Sequence, residues 1–491
     1  MVRMQVMQNR DGSRLSFSFD ASSHMGLLLR KSSNEFELWR LAMKSIVFVT
    51  LLLAALFFHS ISAEAANQYV RAGAAGLNNG TDWTNAYASL PATLVRGDTY
   101  YIADGSYGSR TFNTAASGMM LITIKKATVT DHGTSAGWND TFGDGQAVFG
   151  KLTFSSPYWL IDGQTGGGPG SWKSGFGFKI SWSNATPLID LPTSAPDQVT
   201  VRHIELEGTS NSSGGGSIAQ DAIAIFGADD FKISYFYTHA IGRCPFFISP
   251  GNGFLAEYGY IADYVSTSAA HSEVASIWAF AGSFPTATTT FRYNIFGYVQ
   301  GTGGLMWDNS SNNNARLDVY GNIFWADPAL AGNDNCCNGV IGGWTGNGGE
   351  SFFNVHVYNN TFANISGSGE VLSTFPTRSG NNEARNNLFY TIKVPGGGGG
   401  VWETVTHNHF ILTPSIGTNT STGTTNPFLD MTNLNFALMA STPAGTSLTS
   451  PYNLTPTGTT RGADGTWDRG AYEFGGENLP PPPAPANLSV K

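Results

Sequence analysis

A short strand motif returns seven times between residues 199 and 392, and this recurrence limits the possible folds more than any other feature of the chain. Its clearest copies are Val319-Tyr320-Gly321-Asn322-Ile323-Phe324 and Val357-Tyr358-Asn359-Asn360-Thr361-Phe362. Looser copies span 290–296 and 384–389, and the most degenerate span 201–206, 233–238 and 256–261. Marked by their last positions (Leu206, Thr238, Ile261, Phe296, Phe324, Phe362 and Phe389), the copies are 32, 23, 35, 28, 38 and 27 residues apart. Self-similarity at such a period signals a repeat architecture. The irregular spacing argues against helical repeats or propeller blades of fixed length. It suits a β-solenoid, whose coils share a cross-section while their loops vary in length. Asn294, Asn322, Asn360 and Asn387 hold the same slot in four copies. Asparagine favours turns in general. In one slot of stacked coils it predicts a ladder of amides bonded along the solenoid axis, as in stacked cross-β segments.

The first 66 residues read as separate from the fold. Met43-Lys44 precedes an apolar run, 45–58, and then Ser62-Ala63-Glu64-Ala65-Ala66. A basic start, a short apolar core and small residues at the end describe a secretory signal, residues 43–66. The run is short for a membrane span of about 20 residues. Residues 1–42 then read as an upstream extension ahead of the true start. The alternative is an anchored protein with a cytoplasmic tail. The segment from Asn67 holds 19 Lys+Arg and 30 Asp+Glu, a net charge of −11. That balance disfavours nucleic acid and anionic membrane as partners, since both need a basic surface. An acidic polysaccharide would need a local cationic cluster or a bridging metal ion. The three cysteines, Cys244, Cys336 and Cys337, do not suggest a disulfide. The coil alignment sets Cys244 three coils before Cys336, about 14 Å away at the spacing of neighbouring strands, and adjacent cysteines pair only with strain. Cys244 is expected in the core.

Near the N-terminus, Tyr69-Val70-Arg71 reads as a strand, and 97–107 as a strand and turn. Residues 82–90 read as a short amphipathic helix with Trp83, Ala86 and Leu90 on one face, capping the exposed end of the solenoid. The run Gly80-Thr81-Asp82-Trp83, with Gly97-Asp98-Thr99-Tyr100, resembles the opening of secreted right-handed parallel β-helix proteins of the pectate-lyase-like superfamily. Phe436-Ala437-Leu438, Ser441-Thr442-Pro443-Ala444 and Asp468-Arg469-Gly470-Ala471-Tyr472-Glu473-Phe474 resemble the closing segment of many of them. The resemblance covers 67–475 and implies an all-β right-handed parallel β-helix. It does not by itself fix an activity, since the superfamily includes lyases, glycosidases, epimerases, esterases and non-catalytic surface proteins. Residues 476–485 read as a stiff proline-rich linker. Residues 486–491 read either as the start of a fibronectin-III-like module or as a disordered tail.

The lyases of that superfamily use a face of stacked strands as a glycan groove, so the strand after each motif was aligned coil to coil. The starts are Asp221, Cys244, Glu273, Gly304, Gly339 and Glu370. Around one corner this gathers Asp221, His239, Arg243, His271 and Glu273, with Trp278, Trp307 and Asp308 nearby. Removing the proton α to a uronate carboxylate needs a base active near neutrality and a cation for the carboxylate. His271 is the candidate base, Arg243 the carboxylate clamp, and His239 a second base or the acid. Glu273 would orient His271 or, with Asp221, hold Ca²⁺. Trp278, Trp307 and Asp308 would contact sugar. Each has a plain structural alternative: a surface ion pair for Arg243, a satisfied corner residue for His239, core packing for the tryptophans. A second calcium candidate is the loop carrying Asp131, Asp140 and Asp144. His407 and His409 form a possible metal pair without a third ligand.

The expected function is thus a secreted or cell-surface, monomeric protein acting on an extracellular polysaccharide, as a lyase of uronate-containing glycan. The alternatives are a glycoside hydrolase using paired carboxylates and a non-catalytic glycan-binding or adhesive protein.

Overall fold

Strands of two to nine residues, rich in aromatic and β-branched side chains and separated by glycine and asparagine, wind into successive coils. The computed structural model describes residues 65–192, 197–209, 220–264, 273–279, 287–297, 303–327, 339–344 and 350–476. The leader up to residue 64, His271, Cys336, Cys337 and residues 477–491 lie outside them. Most strands join one 27-stranded array in which every pairing is parallel. The array divides into three ladders. Sheet 1 climbs from Asn67–Val70 through Thr99–Ile102 and Ile122–Lys126 to Thr404–Thr406. Sheet 2 starts in Gly105–Phe112 and ends at Ser421–Gly423. Sheet 3 starts in the second half of Gly105–Phe112 and passes through Phe246–Ser249, Glu273–Trp278 and Gly303–Asp308 to Ile341–Gly343. From the coil of Thr99–Ile102 to that of Ile341–Gly343, the chain passes through sheets 1, 2 and 3 in turn. The chain is a parallel β-helix, as its sequence motif and its resemblance imply.

The motif register holds residue for residue. Leu206, Thr238, Ile261, Phe296, Phe324, Phe362 and Phe389 stand opposite one another up sheet 2. Their side chains point inward. Phe296, Phe324, Phe362, Phe389 and Phe410 form a continuous stack with centroids 4.5–5.0 Å apart. Such pairs add about 0.5–1.5 kcal/mol each beyond their buried area.

The asparagine ladder is present and has a fifth rung. The backbone N–H and Nδ2 of Asn294 both donate to Oδ1 of Asn322, each at 3.0 Å. Asn322 repeats this with Asn360, Asn360 with Asn387, and Asn387 with Asn408. Each side chain also donates to a carbonyl of the preceding coil, as Asn322 does to Phe291. The ladder supplements the coil-to-coil backbone bonds of the bend, such as Gly321 N–H to the carbonyl of Tyr358. Just before each rung the chain turns from sheet 1 to sheet 2 through a left-handed residue: Tyr293, Gly321, Asn359, Asn386 and His407, with φ of 53–65°. For residues other than glycine this costs about 1–2 kcal/mol, which the amide bonds offset.

Two local expectations are corrected. Among the described residues there is no α-helix, and 82–90 is an irregular turn. The Asp82 carboxylate accepts from the N–H and side chain of Asn85, and Tyr87 forms a parallel bridge with Val70. Both divert the backbone from helical bonding. Trp83, Ala86 and Leu90 are nevertheless all buried, so the segment still caps the core. The alignment of sheet 3 was slipped at one strand: Glu273 pairs with Gly303, not Gly304. One residue of slip exchanges the faces of a strand, and this decides the fate of Trp307 below.

At the far end, the closing segment lies over the outer face of sheet 2. Gly470 donates to the carbonyl of Asn386, and Ala471 to the hydroxyl of Thr361. Arg469 bonds the carbonyls of Ala444 and Asn408 and the hydroxyl of Ser421. Asp468 accepts from Thr442 and Phe474, and Arg461 pairs with Glu473 in the interior. The late coils of sheet 2 are therefore covered. Among the described residues no helix is long and apolar enough to cross a membrane.

Candidate functional site

The expected constellation divides into three places. Asp221, Cys244 and Glu273 stack in one register position at the start of sheet 3, as aligned. There, however, Asp221 takes the Arg243 guanidinium in a two-point pair, with Nε to Oδ1 at 2.7 Å and Nη2 to Oδ2. Arg243 also lies over the Phe247 ring, 4.1 Å from its centroid. Glu273 is 1 % exposed and accepts from the Cys244 thiol at 3.2 Å. Burial, reinforced by Glu273, pushes that thiol well up. Cys244 is free and buried, as expected. Arg243 is thus committed to Asp221, and neither Asp221 nor Glu273 is open to a cation from solvent. His271 lies outside the described residues.

The second place is the end of sheet 3. Trp307 points inward opposite Ile277, is 1 % exposed and donates Nε1–H to the carbonyl of Phe353. It is a core residue and not a sugar platform. Asp308 is buried and accepts from Ser310 and Ser351, which makes it a turn-forming residue. Trp278 does face outward, partly exposed, stacked on Trp344 at 6.4 Å and edge-on to Phe247 at 4.9 Å.

The third place holds His239. It lies on the outer face of sheet 2, in early coils away from the contacts of the closing segment, and its side chain is 17 % exposed. Successive strands there set Lys179 beside Glu205 beside Tyr237, and Ser181 beside Glu207 beside His239. Alternation sends all six side chains to the same face. Ligand atoms of Glu205, Glu207 and His239 fall within 4.8 Å of one another, the one such group among the described residues. His239 Nε2 is 3.0 Å from Glu205 Oε1. Lys179 Nζ sits between the carboxylates, 2.9 Å from Glu205 and 3.0 Å from Glu207. Gln146 donates to Glu205 Oε2 at 3.0 Å, and Ser181 to Glu207. The Tyr237 ring stacks on the imidazole at 4.3 Å and fixes its plane.

The electrostatics follow from this packing. Burial would raise the Glu205 carboxyl, but hydrogen bonds from His239, Gln146 and Lys179 outweigh it and hold the group down at about 2. Burial would lower the Lys179 ammonium, but its bonds to Glu205 and Glu207 prevail and raise it. The Tyr237 hydroxyl is pushed up by burial and by the carboxylates of Asp263, Glu205 and Glu207. Glu205 and Glu207 lie on the motif strand itself, in sheet 2, and not at the corner that leads into sheet 3. The pattern Glu-x-Glu on a strand, with a histidine opposite the second Glu in the next coil, was the available signal.

The other metal candidates do not converge. Asp131 is bonded to Lys125 and Tyr101, and Asp140 to Trp138. His407 lies at the left-handed corner, whereas His409 is buried against Ser421.

No known family pattern matches the sequence, and no curated protein matches it either. Among solved structures, the chain is similar to pectate lyase Pel9A at 13 % identity, over 84 % of this chain and 97 % of that one, with a TM-score of 0.47. A PL6 family polysaccharide lyase, Pedsa3628 from Pseudopedobacter saltans, matches at 12 % identity over 74 % and 94 %, with a TM-score of 0.40. The PL6 family alginate lyase AlyGC matches at 12 % over 73 % and 53 %, with a TM-score of 0.32. At these values the likeness assigns no residue, and the three parallel ladders carry the fold on their own.

Proposed function

We propose that the protein is an exported polysaccharide lyase that cleaves a uronate-containing glycan by β-elimination on the outer face of sheet 2. The supporting observation is the convergence of Glu205, Glu207 and His239 around the Lys179 ammonium. That ammonium shows that the carboxylate pair accommodates a positive charge. Two carboxylates suit a hard cation such as Ca²⁺, whereas an imidazole does not belong to that donor class. Glu205 and Glu207 would thus hold the ion, and His239 stays available for proton transfer. A bound cation would neutralise the uronate carboxylate and so acidify its α-proton. Lys179, released from the glutamates, pairs with the same carboxylate. His239, turned away from Glu205 as the neutral imidazole with its own proton on Nδ1, removes the α-proton at Nε2. The electron pair forms the C4–C5 double bond, and the C4–O bond breaks. The leaving oxygen takes its proton from the Tyr237 phenol, which solvent reprotonates. Arg243, proposed from sequence as the clamp, holds Asp221 instead.

A hydrolase needs one carboxyl kept protonated as general acid. Glu205 is held in the opposite direction, and Asp221 and Glu273 are enclosed, which disfavours the paired-carboxylate reading. The test is the ultraviolet absorbance of unsaturated uronate, followed as the purified protein meets uronic-acid polysaccharides with and without Ca²⁺. A rise lost in His239→Ala and Glu205→Gln supports the lyase. New reducing ends without absorbance would replace it with hydrolysis, and binding without cleavage with an adhesive role.

A further inference from the structure

Beside the carboxylate cluster, loops at the corner between sheets 1 and 2 enclose a cavity of about 380 Å³. Its volume lies at the small end for ligand pockets. The wall nearest the cluster is Gln146, whose single amide nitrogen donates both to the carbonyl of Phe176 and to Glu205, each at 3.0 Å. A group in the cavity is therefore separated from Glu205 by one side chain, as neighbouring sugars of one chain would be.

The lining combines hydroxyl and backbone groups, Thr128, Thr130 and Thr165 among four glycines, with the apolar side chains of Val129 and Phe176. The single cation there is Lys126, and it is not available. Its side chain is 1 % exposed, with Nζ 2.6 Å from Asp104 Oδ1 and bonded to the carbonyl of Ala127. Asp144 lies on the same wall and acts on that ammonium as well. Two carboxylates face one enclosed ammonium, so the cavity is electronegative. A uronate seated there would meet Asp144 without a counter-charge. A sugar bearing only hydroxyl or amide groups would meet threonines, peptide groups and the Gln146 amide.

We infer that this cavity is the seat of an uncharged sugar adjoining the uronate, so that the substrate is a mixed polysaccharide and not a homopolymer of uronate. The inference rests on the proposed role of Glu205, Glu207 and His239 as the uronate seat.

The test compares hyaluronan, in which uronate alternates with an uncharged amino sugar, with polygalacturonate and alginate, which carry uronate throughout. The second variable is Thr130→Trp, a substitution at an exposed rim position that fills the cavity and leaves the carboxylate cluster intact. The expected result is product from the mixed polymer, with KM raised about tenfold or more in Thr130→Trp and kcat within about twofold. Equal or better cleavage of the homopolymers, with no change in KM in the variant, would overturn the inference while leaving the lyase reading in place. If no polymer yields product, the lyase reading fails. The cavity is then judged by calorimetric titration with an uncharged N-acetylhexosamine disaccharide. Binding that Thr130→Trp abolishes keeps the assignment, and absence of binding removes it.

Discussion

His239 and Arg243 are four residues apart, and the fold sends them to different tasks. His239 ends a strand of sheet 2 and shares an outer face with Glu205 and Glu207. Arg243 begins the approach to sheet 3 and closes on Asp221. The two should therefore fail differently. His239→Ala is expected to lower kcat by about 100-fold or more, the usual contribution of a general base, with the unfolding midpoint little changed. Arg243→Ala leaves Asp221 enclosed without its partner. Burial already raises that carboxyl, and Arg243 is what opposes the rise. The expected loss is about 3–5 kcal/mol of stability, read by denaturant unfolding, with activity per folded molecule retained. Glu205 makes a pH prediction. Its carboxyl is depressed from the ordinary 4.5 to about 2 in the folded protein. Its stabilising contribution is complete above 4.5 and lost as the pH falls towards 2. The stability gap between wild type and Glu205→Gln should close over that interval.

At the scale of elements, the asparagine ladder and the closing segment hold the coils in register. Asn322 accepts from two groups of Asn294 and donates to Asn360 and to the carbonyls of Phe291 and Tyr320, in full burial. Asn322→Ala leaves several buried backbone groups unpaired at about 1–3 kcal/mol each. A fall of about 3 kcal/mol or more is expected in equilibrium denaturation. Arg469→Ala removes the side chain that ties the closing segment to the carbonyls of Asn408 and Ala444. It should destabilise the late coils and leave catalysis at the distant early coils intact. The ladder was legible because the same residue type recurred in one slot. Its fifth rung, Asn408, was not, because it sits in the run Thr406-His407-Asn408-His409, where two histidines suggested metal binding instead. In the structure His407 supplies the left-handed corner and His409 the next outward position.

Across the whole molecule, a ligand that binds only the folded chain must stabilise it. Calcium at about 100 times its dissociation constant should add about 2.7 kcal/mol, an increment absent in a Glu205→Gln, Glu207→Gln double variant and reversed by chelator. Thermal unfolding with and without the ion reads this directly. Strand identity, the inward register of sheet 2 and the burial of Cys244 were determined by the sequence. Each follows from local periodicity, which a parallel coil repeats whatever its loops do. The location of the open face was decided only in three dimensions. The closing segment, more than a hundred residues beyond Lys179, Glu205 and His239 in sequence, returns over Thr361 and Asn386 in the late coils. Trp307 shows the same division at the smallest scale. Its composition suits a sugar platform, but one residue of register turns the ring inward. Strand pairing across coils sets that register, through bonds between residues far apart in sequence.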